Sequence, residues 1–274
     1  MGISIFIQTL NEAENLPGLL ESVSWSDDIV VLDSFSTDNT EEVARAAGCR
    51  WFERKYDGRG THQNWAMENI DFKYKWVFYL DADERMTPEL RTEIETIAND
   101  PEEKCVAFYC GRKNFFQDQW LKHSMPPGYI MRFFQPPKIR FERLANPIPV
   151  IDGDSGYLKE HFLHYNFSKG LTEWFTRHNK YSTYEAIETV KSLDAGDFRL
   201  SQLFSNDPMM RRFALKQLSF RMPMRPFFKF IYMYVLNRGF LDGRAGYAYC
   251  MMQAFFEFQI CLKVKEIKQE RNEK

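Results

Sequence analysis

The feature that most constrains this chain is an alternation repeated through its first hundred residues. A short apolar run ends on a polar residue, and a segment with helical apolar spacing follows. Ile3 to Thr9 is the first run, and after Leu10-Asn11-Glu12 the segment ENLPGLLESV puts Leu16, Leu19, Leu20 and Val23 on one helical face. Ile29 to Leu32 repeats the pattern. It stops at Asp33 before the polar turn SFSTD and a helix from Thr40 to Ala47 closed by Gly48, with Asp38 placed to cap it. Arg50-Trp51-Phe52 leads through a glycine-containing loop to a helix from about Thr61 to Asn69. Trp76 to Leu80 forms the fourth strand, and Thr87-Pro88-Glu89 announces another helix. Strands alternating with helices at this spacing predict an α/β fold, a mostly parallel sheet flanked by helices on both sides.

Ligands of such sheets bind beyond the carboxyl ends of the strands. Thr9, Asn11, Glu12, Asp33, Asp81 and Asp83 all lie just past strand ends, so the fold gathers them into one crevice. The stretch YLDADE puts three carboxylates into the four positions from Asp81 to Glu84. Their repulsion is relieved either by a solvated turn or by a divalent cation. Asp81 and Asp83, two apart on a strand end, share a face. They supply the hard oxygen ligands that suit Mg²⁺ or Mn²⁺ bridged to substrate phosphates. Thr9 and Asp33 offer a hydroxyl and a carboxylate to a nucleoside, or serve as a cap and a turn residue. Asn11 and Glu12 serve equally as first-turn helix residues. The chain has no Gly-x-Gly-x-x-Gly and no Gly-x-x-x-x-Gly-Lys-Ser/Thr, which argues against a dinucleotide oxidoreductase and a P-loop ATPase.

Composition narrows the class further. With 274 residues, 44% of them apolar, the chain is long enough for one large domain or for one domain plus an appendage. Lys and Arg (36) nearly balance Asp and Glu (38), so no nucleic-acid partner is expected. Five cysteines without a CxxC pair suit reduced thiols. The first residues lack the basic flank and cleavage site of a secretory signal. No segment offers the roughly 20 continuous apolar residues that cross a bilayer.

From about Val106 the text turns to mixed strands and loops, including Tyr129 to Phe134. Residues 171–192 read as an amphipathic helix. Beyond Asp207-Pro208, basic residues such as Arg211, Arg212, Arg221 and Arg225 interleave with Phe213, Phe220, Phe227 and Phe228. This predicts one domain over residues 1–200 and a helical, basic-aromatic extension over 201–274. The extension either packs as a helical subdomain or lies on an anionic membrane surface.

The segments ISIFIQTLNEAENL, DIVVLDSFSTDNT, HQNWAM and WVFYLDADERMTPEL closely resemble the family-2 glycosyltransferases of the GT-A fold. Weaker matches, YLKEHFLHYNFSKGLTEWFTRHNKYSTYEA and RPFFKFIYMYVLNRGFLDGRAGYAY, are similar to the branch acting on lipopolysaccharide core or other lipid-linked glycans. The resemblance implies a nucleotide-sugar donor contacted by Thr9, Asn11, Glu12, Asp33, Gln63 and Asn64. It implies that Asp81 and Asp83 hold Mg²⁺ or Mn²⁺ and the diphosphate, and that a lipid-linked or lipopolysaccharide acceptor is met at the cytoplasmic face of the membrane by a peripheral enzyme. It also implies inverting transfer, for which a base must deprotonate the acceptor hydroxyl. In this branch a His-Glu pair is expected shortly before the Asp-Gly turn, but Asn146-Pro147 stands there. Glu142 and Asp152 become the candidate bases, with Asp154 and Glu160 behind them. His164 and His62 are further candidates for a role, whereas Trp65, Trp174 and Tyr181 read as core. Two rival classes remain: a sugar nucleotidyltransferase, disfavoured because TLNEAENL lacks a glycine- and basic-rich phosphate loop, and a donor-binding membrane scaffold without efficient transfer.

Overall fold

The computed structural model describes residues 2–142, 147–194 and 199–272. Two compact units form, Met1–Phe115 with Pro127–Ser168, and Phe116–Pro126 with Lys169–Lys274.

The first unit is built on strands β1 (Ile3–Thr9), β2 (Ile29–Asp33), β3 (Arg50–Glu53) and β4 (Trp76–Asp81). Between them run helices α1 (Leu16–Val23), α2 (Thr40–Ala46) and α3 (Arg59–Asn69). The two-residue β5 (Glu84–Arg85) precedes α4 (Pro88–Asn99), whose cap is Thr87, accepting from the Leu90 amide at 3.2 Å. Then come β6 (Cys105–Phe116), the two-residue β7 (Gln119–Trp120), β8 (Tyr129–Phe134), the hairpin β9 (Ile139–Glu142) and β10 (Ile148–Ile151), and β11 (Asp154–His164).

The main sheet runs β3-β2-β1-β4-β8-β6-β11-β5. β3, β2, β1 and β4 are parallel, as the βα alternation predicts. β8 enters antiparallel to both β4 and β6, while β11 pairs parallel with β6. Register aligns Thr9 with Asp33 and Gln8 with Asp81, so these polar ends lie along one edge. The sheet buries both faces. Ile3, Ile5 and Ile7 of β1 point to the α1 and α4 side with Leu16, Leu19, Leu90 and Ile94. Phe6 points the other way, with Val30, Leu32, Tyr79 and Ala66 of α3. That two-sided burial is why these strands are nearly continuous apolar runs.

The second unit contains α5 (Gly170–Asp194), α6 (Pro208–Arg221), α7 (Arg225–Ile231) and α8 (Gly243–Asn272). Lys263 on α8 donates to the carbonyl and side chain of Asn179 and to the hydroxyls of Ser182 and Thr183 on α5, all within 2.8 Å. Asp242, buried at the head of α8, accepts from the His123 and Ser124 amides and the Ser124 hydroxyl. The boundary expected at residue 200 therefore falls inside this unit, because α5 lies along α8. Trp174 is buried and stacks on His178 at 3.5 Å. All five cysteines are free thiols. Among the described residues no helix is long and apolar enough to cross a membrane.

Candidate functional site

Two loops past the carboxyl ends of β1 and β2 are laced together. Asn11, with φ of 55°, donates its amide to the Ser36 hydroxyl at 2.7 Å and accepts from the Thr37 amide at 2.8 Å. The Glu12 amide donates to Thr40 Oγ1 at 2.8 Å, and the Ala13 amide to Asp38. Asp38 also accepts from the amide and hydroxyl of Thr40, but the N-cap position expected for it falls to Asn39, which makes no side-chain capping bond. Asp33 is fully buried and accepts from Thr9 Oγ1, Ser36 Oγ and the Ser36 amide, each at 2.6 Å. Thr9 and Asp33 thus meet each other, as strand-end neighbours in register must. Their hydrogen bond holds the loop that forms one wall of the crevice.

The acidic corner at the end of β4 is resolved mainly by arginine. Arg132, in the middle of β8 and 1% exposed, donates to Asp81 at 2.8 Å and to Glu84 at 2.7 Å. Its guanidinium lies 4.3 Å from the centre of the Tyr79 ring. Arg59, at the start of α3, donates to Asp81 at 2.9 Å and to the Tyr79 hydroxyl, which in turn donates to Asp81. Burial raises the Asp81 carboxyl, but Arg132 and Arg59 outweigh it and hold the group well below the usual carboxylate range. Glu84, fully buried, accepts from the Asp81 amide at 2.9 Å; burial pushes it up to about 7 against the pull of Arg132. The repulsion attributed to the bare sequence is therefore met by two protein cations.

Asp83 is placed differently. Its carboxylate lies 3.4 Å from His164 Nε2, and His164 Nδ1 is 2.8 Å from Asn114 Oδ1. That second contact orients the imidazole toward the aspartate, the arrangement common behind a histidine metal ligand. A divalent cation that keeps waters and takes substrate phosphates needs only one or two protein carboxylates. Asp83 supplies one, with His164 Nε2 beside it, whereas both oxygens of Asp81 are engaged by Arg59, Arg132 and Tyr79. No group of three or more His, Cys, Asp or Glu suited to a metal occurs among the described residues.

Two cavities open here. One of about 260 Å³ is lined by Thr9, Leu10, Ser34, Tyr56 and His62. The other, of about 400 Å³, is lined by Gln63, Tyr109, Arg112, Tyr129, Arg132 and Phe141. Both share the wall of Arg59, Tyr79 and Asp81. His62 is wedged between Ser34 and Arg54, and burial, then the Arg54 charge, lowers its pKa.

The remaining sequence candidates divide. Gln63 lines the larger cavity, but Asn64 is turned away to exchange two hydrogen bonds with the Phe141 backbone, at 2.7 and 2.8 Å. Glu142 is exposed at the end of β9 and pairs with Arg140 at 2.9 Å; its neighbour Phe141 and cross-strand partner Ile148 line the larger cavity. Asp152 is 81% exposed, and its bond to Lys138 lowers its pKa. Neither carboxylate lines either cavity. Asn146 lies outside the described residues. Sequence reasoning passed over Arg59, Arg112 and Arg132, although an arginine inside the apolar run YIMRFF was a signal of a buried counter-charge.

Comparison with known proteins gives the family. A family model described as glycosyl transferase family 2 matches residues 4–162. The chain is 24% identical to an uncharacterized glycosyltransferase of Rickettsia typhi, over 97% of this chain and 87% of that one. It is 26% identical to the lipopolysaccharide core biosynthesis glycosyltransferase LpsC of Rhizobium meliloti, over 69% of this chain and 72% of that one. A crystal structure of S. aureus TarS 1–349 aligns with a TM-score of 0.44 at 12% identity, over 100% of this chain and 92% of that one.

The corner itself can be tested by stability. Arg132→Met strands Glu84 and takes from Asp81 one of its two guanidiniums, and is expected to cost about 3–5 kcal/mol in urea unfolding. Adding Glu84→Gln to that variant recovers part of the loss, since a neutral amide needs no counter-charge. A single-variant loss within about 0.5 kcal/mol, the range of ordinary surface changes, shows that the guanidinium does not hold the corner.

Proposed function

The chain belongs to glycosyltransferase family 2, and from that premise we propose an inverting transfer from a nucleotide-sugar donor to a lipid-linked or lipopolysaccharide acceptor. The observation that carries this reading is the pair of cavities sharing the Arg59-Tyr79-Asp81 wall. The donor's nucleoside occupies the smaller cavity against Thr9 and the loop that Asp33 holds, with Asn11 and Glu12 fixing that loop. The acceptor enters the larger one, which Gln63 lines. The donor's diphosphate lies at the shared wall, where Arg59 offers a cation to its oxygens. The two rival classes recede: family membership favours transfer over nucleotidyl chemistry, and the paired cavities provide for an acceptor as well as a donor.

Asp83 and His164 would hold Mg²⁺ or Mn²⁺, with Asp81 keeping Arg59 and Arg132 in place rather than ligating. When bound, such a cation neutralises charge on the departing diphosphate. For the base, Glu142 is the better placed candidate, because Phe141 and Ile148 beside it line the acceptor cavity. Release from Arg140 would free its carboxylate to take the acceptor proton. Asp152, held low by Lys138, is the weaker choice.

The second unit supplies the membrane contact in this reading. Phe213 and Leu215 of α6, Phe227 and Phe228 of α7, and Leu236 and Leu241 beyond it are all exposed, and Arg211 and Arg212 are exposed beside them. Apolar side chains bordered by arginines suit the headgroup region of an anionic bilayer. The LpsC similarity supports a lipopolysaccharide-type acceptor presented there, at the cytoplasmic face.

Three outcomes are expected. Asp83→Ala lowers metal-stimulated release of nucleoside diphosphate from a nucleotide-sugar panel by about 100-fold or more. Unchanged release from that variant, with either ion, removes the assigned metal role. Glu142→Gln lowers kcat by roughly 10²-fold or more with KM for donor unchanged, and full retention of kcat rejects it as the base. Flotation with vesicles of phosphatidylglycerol and phosphatidylcholine carries the protein upward, and neutralising Arg211 and Arg212 weakens binding by about 1 kcal/mol per charge. A protein that stays at the bottom of the gradient excludes the membrane contact.

A further inference from the structure

The larger cavity has more cationic capacity than its own carboxylate uses. Arg59 and Arg132 are both engaged with Asp81. Arg112 of β6 lines the same cavity; its backbone is paired with β11, and among the described residues its guanidinium makes no salt bridge, Glu84, Asp81 and Asp83 acting on it only at longer range. Its Nε is buried without a partner, as is Oε1 of Gln63, a side chain only 4% exposed on the same wall. Native proteins leave few buried donors and acceptors unsatisfied, so each such group calls for an explanation. Arg112 lines the larger cavity and not the smaller one, so it stands on the acceptor side of the shared wall rather than the nucleoside side.

Aromatic rings stand beside it. Tyr109 stacks on Tyr157 at 5.2 Å, and Tyr129 meets Tyr157 edge-on at 5.3 Å. Tyr109 and Tyr129 both line the cavity, and Tyr129 and Tyr157 are exposed. A broad apolar surface next to a few convergent polar groups is how ligand sites combine contact area with orientation. A pyranose has an apolar C–H face that suits these rings. A planar guanidinium suits the two oxygens of a carboxylate or phosphate.

We propose that the larger cavity recognises an anionic acceptor sugar, its carboxylate or phosphate gripped by Arg112 and its ring laid against Tyr109 and Tyr129. The assignment rests on the glycosyltransferase reading of the site and adds the charge class of the acceptor. Arg112 acts by binding, and the hydroxyl to be glycosylated is turned by it toward the wall shared with the donor.

The test is calorimetric titration of the full chain with methyl β-glucuronide, glucose 6-phosphate and neutral methyl β-glucoside. A parallel titration uses a panel of nucleoside diphosphates. At least one charged sugar is expected to bind about tenfold or more tighter than the neutral one, the preference that a charged hydrogen bond confers. The tighter of the two identifies carboxylate or phosphate as the acceptor's group. Arg112→Met brings the charged sugars down to the neutral level while nucleoside diphosphate binding stays unchanged. Arg112→Lys keeps the charge without the fork and falls between, and it replaces the methionine variant if that one does not fold. The proposal is overturned if wild type shows no charge preference, if both variants retain it in full, or if saturating nucleoside diphosphate displaces the charged sugar, which puts that sugar in the donor cavity. Loss of diphosphate binding with the charge preference intact overturns the donor reading instead and leaves the anionic pocket standing.

Discussion

One buried guanidinium underlies the architecture of this site. Arg132 lies inside the sheet, stacked on Tyr79 and bonded to both Asp81 and Glu84. Removing three such charges from water is expensive, and the cost is offset only when the pairs are short and the remaining polar atoms are satisfied. Here the Asp81 amide donates to Glu84, and Arg59 and the Tyr79 hydroxyl complete Asp81. The turn from residue 81 to 84 is pinned at both ends as a result. Its middle residue, Asp83, is left to face His164.

That arrangement divides labour between two aspartates that look equivalent in the sequence. Asp81 organises arginines, while Asp83 keeps a carboxylate beside an imidazole that Asn114 orients. Arg59 then belongs to the wall that the two cavities share, while Arg132 lines the larger one alone. A guanidinium fixed there suits a leaving group that departs as an anion, because its charge is in place before reaction. On the far side of the wall, Arg112 lines the larger cavity without a salt bridge, under the longer-range charge of Glu84, Asp81 and Asp83. Charge bookkeeping inside a buried corner thus separates groups that maintain the fold from groups free to meet ligands.

Much of this was legible in the linear text. The βα alternation foretold the parallel strands β1 to β4 and the helices between them. The strand-end rule foretold the edge along which Thr9, Asp33 and Asp81 lie, while Asp83 turns to His164 and lines neither cavity. Thr9 and Asp33 meet because register makes them neighbours. Asn64 was misjudged for a physical reason. Its neighbour Gln63 lines the cavity, but successive helical positions point in different directions, and Asn64 was needed to hold β9. The ion pair of Asp152 was hidden, since Lys138 reaches it only once the β9-β10 hairpin folds, whereas Arg140 and Glu142 stand two apart on one strand.

The sequence by itself determined the periodicities: which segments become strands, which faces are apolar, and which polar residues stand at strand ends. Those follow from local geometry and from the cost of leaving apolar surface in water. Only the tertiary structure decided which charges meet. Arg132 arrives at Glu84 from 48 residues away, on a strand inserted antiparallel into an otherwise parallel run. Pairing of that kind depends on strand order, which no local pattern encodes. The acidic corner therefore announced itself in the sequence, while the cations that stabilise it came from elsewhere in the fold.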